Sequence, residues 1–343
     1  MQKRQTIRVG VIGTGRIGSL HAEHLATRIP EAEIVAVSDI RREAAERCAR
    51  AWDIPEVYEA PDPVMDHEGI DAVLICSSTD THAALIEQAA DAGKHIFCEK
   101  PIDLDIARID RALEAVSNAG VTLMVGFNRR FDHNFRRLRE RVADGAVGEP
   151  HLLHIISRDP APPPLDYIKV SGGIFLDMTI HDFDMARYLI DSEVEELHAM
   201  GAVRVDPAIG EAGDLDTAVI TMRFANGAIG TIDNSRQAVY GYDQRAEVFG
   251  SRGSVRTAND YPNHTQIADA DGVRRDNPLY FFIERYTQSY VDELRAFVRS
   301  VTKGTPPPTT GEDGRTAILM GYAAKRSVAE GRSVAMEEIE AAY

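Results

Sequence analysis

Two short segments hold the residues best suited to chemistry. In Cys98-Glu99-Lys100-Pro101-Ile102, a lysine follows the apolar run His95–Cys98 directly. An ammonium at a strand end can donate a hydrogen bond to a developing alkoxide, and the proline can fix the turn through a cis bond. Taken alone, Lys100 reads more readily as a solvated turn lysine. The second segment runs from Gly172 to Asp184 and sets His181 four residues after Asp177, with Asp184 three further on. On a helix these three share one face. A carboxylate beside an imidazole raises its basicity and fixes its tautomer, as a general base near neutral pH requires. The same stripe also describes a solvated helix face, or part of a metal site without convincing further ligands, and no metal is expected.

A partner for such an acid–base pair is legible near the start. Gly13-Thr14-Gly15-Arg16-Ile17-Gly18 follows the apolar run Ile7–Ile12, leads into a helical pattern, and is followed by Asp39 at the end of a second apolar run. Strand, glycine turn, helix, strand and terminal acid in this order form a dinucleotide fingerprint. Gly13 permits the tight turn, Gly15 lets backbone N–H groups approach a pyrophosphate, and Gly18 lets helix and strand pack closely. The helix beginning near Arg16 and Ile17 directs its positive end at the phosphates. Asp39 can accept hydrogen bonds from the adenosine ribose and repels a 2′-phosphate, so NAD is expected, with Ile40 and Arg41 beside it. Arg41 and Arg42 leave room for some NADP use. Ser77, Ser78, Thr79 and His82 offer small polar groups to ribose and nicotinamide, next to Glu99 and Lys100.

Composition narrows the function classes. The 343 residues suit two domains, and the 44% hydrophobic and 27% charged fractions are those of a globular protein. No apolar run reaches the roughly 20 residues of a membrane span. Met1-Gln2-Lys3-Arg4-Gln5 leads into the first strand with no signal-peptide core. The three cysteines, Cys48, Cys76 and Cys98, have no metal or redox spacing, which fits a reducing cytoplasm. A formal net charge of −16 argues against nucleic acid and anionic membrane surfaces. A neutral polar substrate is easier to reconcile with it than a polyanion.

The elements that must position these groups follow from periodicity. Up to residue 126, apolar runs alternate with helical stretches, which predicts a Rossmann-type doubly wound parallel sheet and a nucleotide-binding domain over 1–126. Asp80-Thr81 and Asp103 are expected helix N-caps, and Gly93 and Gly120 helix stops. Residues 127–343 predict an α+β substrate and oligomerisation domain with a mostly antiparallel open sheet. It has a helix over 174–190, a hairpin turn at Ala225-Asn226-Gly227, and C-terminal helices over 282–299 and 315–328. The last of these is expected to cover the sheet or pack back on the first domain. His21 and His24 read as packed structural histidines.

The fingerprint, the Glu99-Lys100-Pro101 step, Gly126-Phe127-Asn128-Arg129-Arg130-Phe131-Asp132 and Asp177-x-x-x-His181 together resemble the glucose–fructose oxidoreductase and inositol dehydrogenase family. The stretch from Ser157-Arg158-Asp159-Pro160 to Asp184, with Tyr240-Gly241-Tyr242-Asp243 and Glu284-Arg285-Tyr286, resembles its bacterial myo-inositol 2-dehydrogenase branch. The resemblance covers nearly the whole chain. It implies Lys100 as active-site lysine, Asp177 as its carboxylate partner and His181 as general base. Asp184 and Tyr240 are implied to bind substrate hydroxyls, joined by Asn128, Arg158 and Asp159. Asp159 stands where some members have Asn, Ser157 where some have His, and Asn128 where some have an apolar residue. The implied activity is NAD-dependent oxidation of a small neutral polyol, myo-inositol to its 2-keto product, by a homotetramer. Another inositol isomer, a pyranose, or a non-catalytic NAD-binding sensor are the alternatives.

Overall fold

A computed structural model describes residues 6–343; Met1–Gln5, with the N-terminal reading made above, lie outside the described residues. The chain divides into two compact units. One comprises the residues up to Phe131 together with Gln288–Thr316, the other Asp132–Thr287 together with Ala317–Tyr343. Where a boundary at 126/127 and a continuous second domain are expected, the division falls at Phe131/Asp132 and each unit takes two stretches of chain.

The first unit runs β1 (Ile7–Ile12), α1 (Arg16–Arg28), β2 (Ala32–Ser38), α2 (Arg42–Trp52), β3 (Glu56–Tyr58), α3 (Asp62–Met65), β4 (Ala72–Ile75), α4 (Thr79–Asp91), β5 (His95–Glu99), α5 (Ile106–Ala119) and β6 (Leu123–Gly126). Its six strands are all parallel in the order β3-β2-β1-β4-β5-β6. The order reverses between β1 and β4, and ligands of such sheets bind beyond the strand ends at that switch point. β4 and β6 are buried at every residue, as strands covered on both faces should be. β3 has no apolar run to announce it, being half-buried throughout. α5 is capped by Asp105, whose carboxylate accepts from Arg108 N, while the expected cap Asp103 accepts from Asp105 N. α4 starts after Ser78, ahead of the expected Asp80-Thr81.

The second unit contains α6 (His133–Ala143), β7 (Pro150–Arg158), α7 (Leu165–Ile168), α8 (Ile174–Asp177), α9 (Ile180–Ile190), β8 (Val194–Ala202), α10 (Pro207–Glu211), β9 (Thr217–Phe224), β10 (Ile229–Ser235), β11 (Asp243–Gly250), β12 (Gly253–Arg256), β13 (Gln266–Asp269) and β14 (Gly272–Arg275). α11 (Phe282–Lys303), α12 (Gly311–Glu330), β15 (Val334–Ala335) and α13 (Met336–Glu340) complete the chain. The large sheet has the order β12-β11-β7-β10-β9-β8-β15, and every pairing is antiparallel except β7 with β10. Along β9, Ala218, Ile220, Met222 and Phe224 are buried while Val219, Thr221 and Arg223 are exposed. One face of the sheet is therefore core and the other open, with α9 packed against β7 on the core side. β9 and β10 are joined at Ala225-Asn226-Gly227, where Gly227 has a φ of +88°. β13 and β14 form a separate, wholly exposed hairpin with no apolar alternation to signal it.

The helix expected over 174–190 is broken into α8 and α9. Thr179 N donates to Ile174 O five residues back, and His181 N to Met178 O three back, so the regular four-residue ladder is lost. The cause is tertiary. Thr179 Oγ1 donates to Asn234 Oδ1 (2.6 Å), and Asn234 Nδ2 donates to Asp182 Oδ2 (2.8 Å) and to Ser157 O (3.2 Å). All four residues are buried. Buried polar groups need partners, and these partners lie on the sheet rather than in the helix. Among the described residues no helix is long and apolar enough to cross a membrane.

Candidate active site

In the first unit the fingerprint residues form a cradle. Gly13 has a φ of +87°, and a Cβ there would lie 2.6 Å from Ser77 N; a Cβ on Gly18 would lie 1.9 Å from Gly13 O. Gly15 differs: a Cβ there would meet nothing within 4 Å. Gly15 is also the N-cap of α1, with no side-chain cap hydrogen bond. The first amides of α1 thus face open space with a positive helix end behind them, as a pyrophosphate requires. Asp39 is held in place by Thr14 N (2.8 Å) and Thr14 Oγ1 (3.1 Å) on one oxygen and Arg41 N (2.9 Å) on the other. Ile40 is 85% exposed beside it, and Arg41 Nε lies 3.7 Å from Asp39 Oδ1. These residues fit an adenosine diphosphate.

Lys100 is half-buried just past the end of β5, and the Lys100–Pro101 peptide is cis. His82 and Glu99, grouped with the cofactor residues on sequence, also make contacts within the protein. The His82 ring is buried, with Nδ1 2.8 Å from Pro101 O and Nε2 3.1 Å from Ser77 O. The ring sits between the loop after β4 and the lysine turn, and a neutral imidazole donates its one N–H to either carbonyl. Glu99 Oε1 lies 2.6 Å from Nε2 of the fully buried His21, whose ring packs edge-on against Phe97 and Tyr290. Both residues brace the Lys100 turn. Ser77 Oγ meets Thr81 Oγ1 at 2.6 Å, while Ser78 and Thr79 start α4. Asn128 is buried in a 3₁₀ turn, Asn128–Phe131, after β6.

In the second unit Asp177 ends α8 and His181 lies in the first turn of α9, with the buried Asp184 one turn further along. Asp177 Oδ1 accepts from Tyr167 Oη (2.8 Å) and Oδ2 from Arg236 Nη1 (3.3 Å). Burial, then the charge and hydrogen bond of Asp177, hold the Tyr167 phenol above its ordinary value, so it stays a donor. Asp159 is half-buried and its backbone links Ser235 O to Ala238 N.

Arg158 and Tyr240, expected to hold substrate alongside Asp177 and His181, are hydrogen-bonded to each other. Along β7, Ser157 points to the buried face under α9, so Arg158 points to the opposite, open face. Its guanidinium meets Asp233 through Nε (3.0 Å) and Nη2 (2.5 Å), and Nη1 donates to Tyr240 Oη (3.3 Å). Tyr240 Oη in turn donates to Asp243 Oδ2 (2.5 Å). Burial alone would raise the Asp243 carboxyl, yet hydrogen bonds from Arg245, Tyr240 and Asn259 hold it below its ordinary value. Among the described residues, Asp132, His133 and Asp260 are close enough to suggest a cation site. The Arg285 guanidinium fills that role, pairing with Asp132 and, at 2.9 Å, with Asp260.

Residues 7–127 match the family model described as "Oxidoreductase family, NAD-binding Rossmann fold", and residues 135–256 match the "GFO/IDH/MocA C-terminal domain". A myo-inositol 2-dehydrogenase of Thermotoga maritima is 54% identical over 97% of this chain and 99% of its own. The chain belongs to this oxidoreductase family. An inositol 2-dehydrogenase of Rhizobium meliloti is 48% identical over 96% of this chain and 99% of its own length. A scyllo-inositol 2-dehydrogenase (NAD(+)) of Bacillus subtilis is 37% identical, over 98% of each. Among solved structures, a probable dehydrogenase from Thermotoga maritima superposes with a TM-score of 0.96 at 53% identity, covering 97% of this chain and 100% of that one. A myo-inositol dehydrogenase from Lactobacillus casei, in complex with NAD(H) and myo-inositol, gives a TM-score of 0.86 at 28% identity over 96% of both chains. This family member is thus an oxidoreductase with NAD as its cofactor.

Tyr167, Thr179, Asp182, Asp214, Asn234 and Arg236, which surround Asp177 and the α8–α9 junction, carry no motif in this oxidoreductase. One signal for them exists. Ile232, Asn234 and Arg236 alternate along β10 and past its end, so they share the core face, where a polar residue needs an internal partner.

Proposed function

We propose that this protein oxidises a cyclic polyol, myo-inositol to 2-keto-myo-inositol (scyllo-inosose), with NAD. The observation that carries this reading is a carboxylate and an imidazole, Asp177 and His181, at a break between two helices in a chain 54% identical to a myo-inositol 2-dehydrogenase. NAD supplies a hydride acceptor when bound. His181 takes the hydroxyl proton as the carbonyl forms. Lys100 donates a hydrogen bond to that oxygen and stabilises its developing charge, and Asp177 orients the lysine and the imidazole. Asp159, Asp184 and Asn128 hold the remaining hydroxyls. Arg158 and Tyr240, hydrogen-bonded to each other, are proposed to offer further donors to the ring hydroxyls. A site built of such groups rejects a ring lacking one hydroxyl, because a buried polar atom is then left unpaired.

Oxidation of scyllo-inositol is the second reading, favoured by the 37% identical Bacillus subtilis relative. Following absorbance at 340 nm with NAD across myo-inositol, scyllo-inositol, other isomers and aldoses tests both. The highest kcat/KM is expected with myo-inositol. No turnover with any of these compounds would remove the enzyme reading and favour an NAD sensor.

We further infer a homotetramer. The open sheet face carries Leu152, Met200, Val219, Ile229 and Phe249, 39–69% exposed, which self-association would bury. A monomer by light scattering at micromolar concentration would overturn this. Three free cysteines, with the Cys48 thiol raised to about 11 by burial and the Cys98 thiol raised by burial and then by Glu99, support a cytoplasmic setting.

A further inference from the structure

Among the described residues, Arg236 is the largest with under 2% exposure, and no motif assigns it a task. It follows β10 directly, where its amide donates to Asp216 O (2.8 Å). Its Nη1 lies 3.3 Å from Asp177 Oδ2 and its Nη2 3.3 Å from Asp214 Oδ2. Asp214 is 9% exposed, and its other oxygen accepts from Ile174 N (2.9 Å), the first amide of α8. Gly173, with a φ of +85°, makes this approach possible, since a Cβ there would lie 2.7 Å from Asp214 Oδ1. The contacts close a loop. Asp214 anchors the start of α8, Arg236 anchors Asp214, and Asp177 at the end of α8 is anchored by Arg236.

Isolated buried carboxylates are costly, and a planar guanidinium can serve two of them at once where an ammonium is a single point charge. The arrangement holds one cation between two anions, with Tyr167 Oη on Asp177 from the other side. A buried arginine could simply be structural cement for α8. Yet its fork ends on the one carboxylate of α8 that the proposed reaction uses.

We propose that Arg236 is a positioning residue for the reaction, its guanidinium, braced by Asp214, fixing the orientation of the Asp177 carboxylate. The proposal rests on the reading of Asp177 as the active-site carboxylate.

Steady-state kinetics of full-length wild type, R236Q, R236K and D214N with myo-inositol and NAD test it, together with NAD titration by fluorescence, thermal melts and kcat/KM–pH profiles. R236Q should lower kcat by about 10²-fold, the loss that follows a misplacement of about 1 Å, with NAD affinity unchanged. Its acidic limb should move to higher pH, because the substitution removes the cation that lies 3.3 Å from both carboxylates. Tyr167, Asp159 and Lys325 also bear on this cluster, and the substitution leaves them in place. R236K should recover part of kcat, and D214N should lose less than R236Q. Folded R236Q with wild-type kcat and pH limb overturns the proposal. Should R236Q fail to fold, wild-type kcat and pH limb in R236K overturn it equally. A wild-type enzyme inactive on every polyol sinks the functional reading instead, which is a separate result.

Discussion

Asp39 and Asp177 are both carboxylates proposed to govern hydroxyl-bearing ligands, and they are held in opposite ways. Asp39 is pinned by the backbone amides of Thr14 and Arg41, with the Thr14 hydroxyl beside them, and the nearby Arg41 side chain is 72% exposed. Asp177 is pinned by the side chains of Tyr167 and Arg236, 10 and 59 residues away, and its cation is 1% exposed. Amide donors come with the shape of a turn, whatever the side chains. Side-chain donors need one residue type at one position. The nucleotide end can therefore be retuned at the surface, whereas the Asp177 end has little room for substitution.

The largest effect expected is on the side-chain-built half. His181→Ala should lower kcat by roughly 10²–10⁴-fold, as for loss of a general base, while NAD still binds in a fluorescence titration. Near wild-type turnover would take His181 out of the mechanism and blur the contrast between the halves. Within the nucleotide half, Gly15→Ala and Gly18→Ala should separate ligand binding from folding. Gly15→Ala meets no protein atom, so it should raise KM for NAD about 10–100-fold, the equivalent of one charge-assisted hydrogen bond, with the thermal midpoint kept. Gly18→Ala drives a Cβ into Gly13 O and should cost about 1–3 kcal/mol of stability, read as a lower urea midpoint. Identical behaviour of the two variants would mean that the turn does not divide its work this way.

Asp39→Asn keeps an acceptor for Thr14 but removes the charge that repels a 2′-phosphate. The ratio of kcat/KM for NAD over NADP should fall by about tenfold, or about 1.4 kcal/mol, with Arg41 available to the phosphate. An unchanged ratio would assign cofactor choice elsewhere. The smallest effect concerns His24. Burial, with the charges of His21 and Arg28, lowers its pKa from 6.5 to about 4. Between those values the unfolded chain binds a proton that the folded protein does not, so stability is lost as pH falls through this window. His24→Gln should flatten the dependence of the urea midpoint on pH between about 6.5 and 4; an unaltered slope would place the acid sensitivity in other groups.

Much of the first unit is legible because its signals are local. Five of its six strands are apolar runs, and the Gly13–Gly18 turn declares its geometry through residues that sterics alone select. β3 escapes because it is short and half-buried. In the second unit, the i, i+4 spacing of Asp177 and His181 predicts a continuous helix, but Thr179 prefers its partner on β10, and the helix breaks between them. Arg158 sits one residue from Ser157 in sequence and on the other face of the sheet in space.

The amino-acid sequence by itself determined the parallel nucleotide-binding sheet, the cradle before α1, the acid at the end of β2 and the lysine–proline step after β5. Each of these depends on neighbours within a few residues, on backbone sterics or on the period of burial. Tertiary structure alone decided which face Arg158 takes, what breaks the helix before His181, and that Arg236 and Asp214 stand behind Asp177. Those outcomes depend on strand register and on the demand that every buried charge find a partner, and chain segments far apart must meet before either can act.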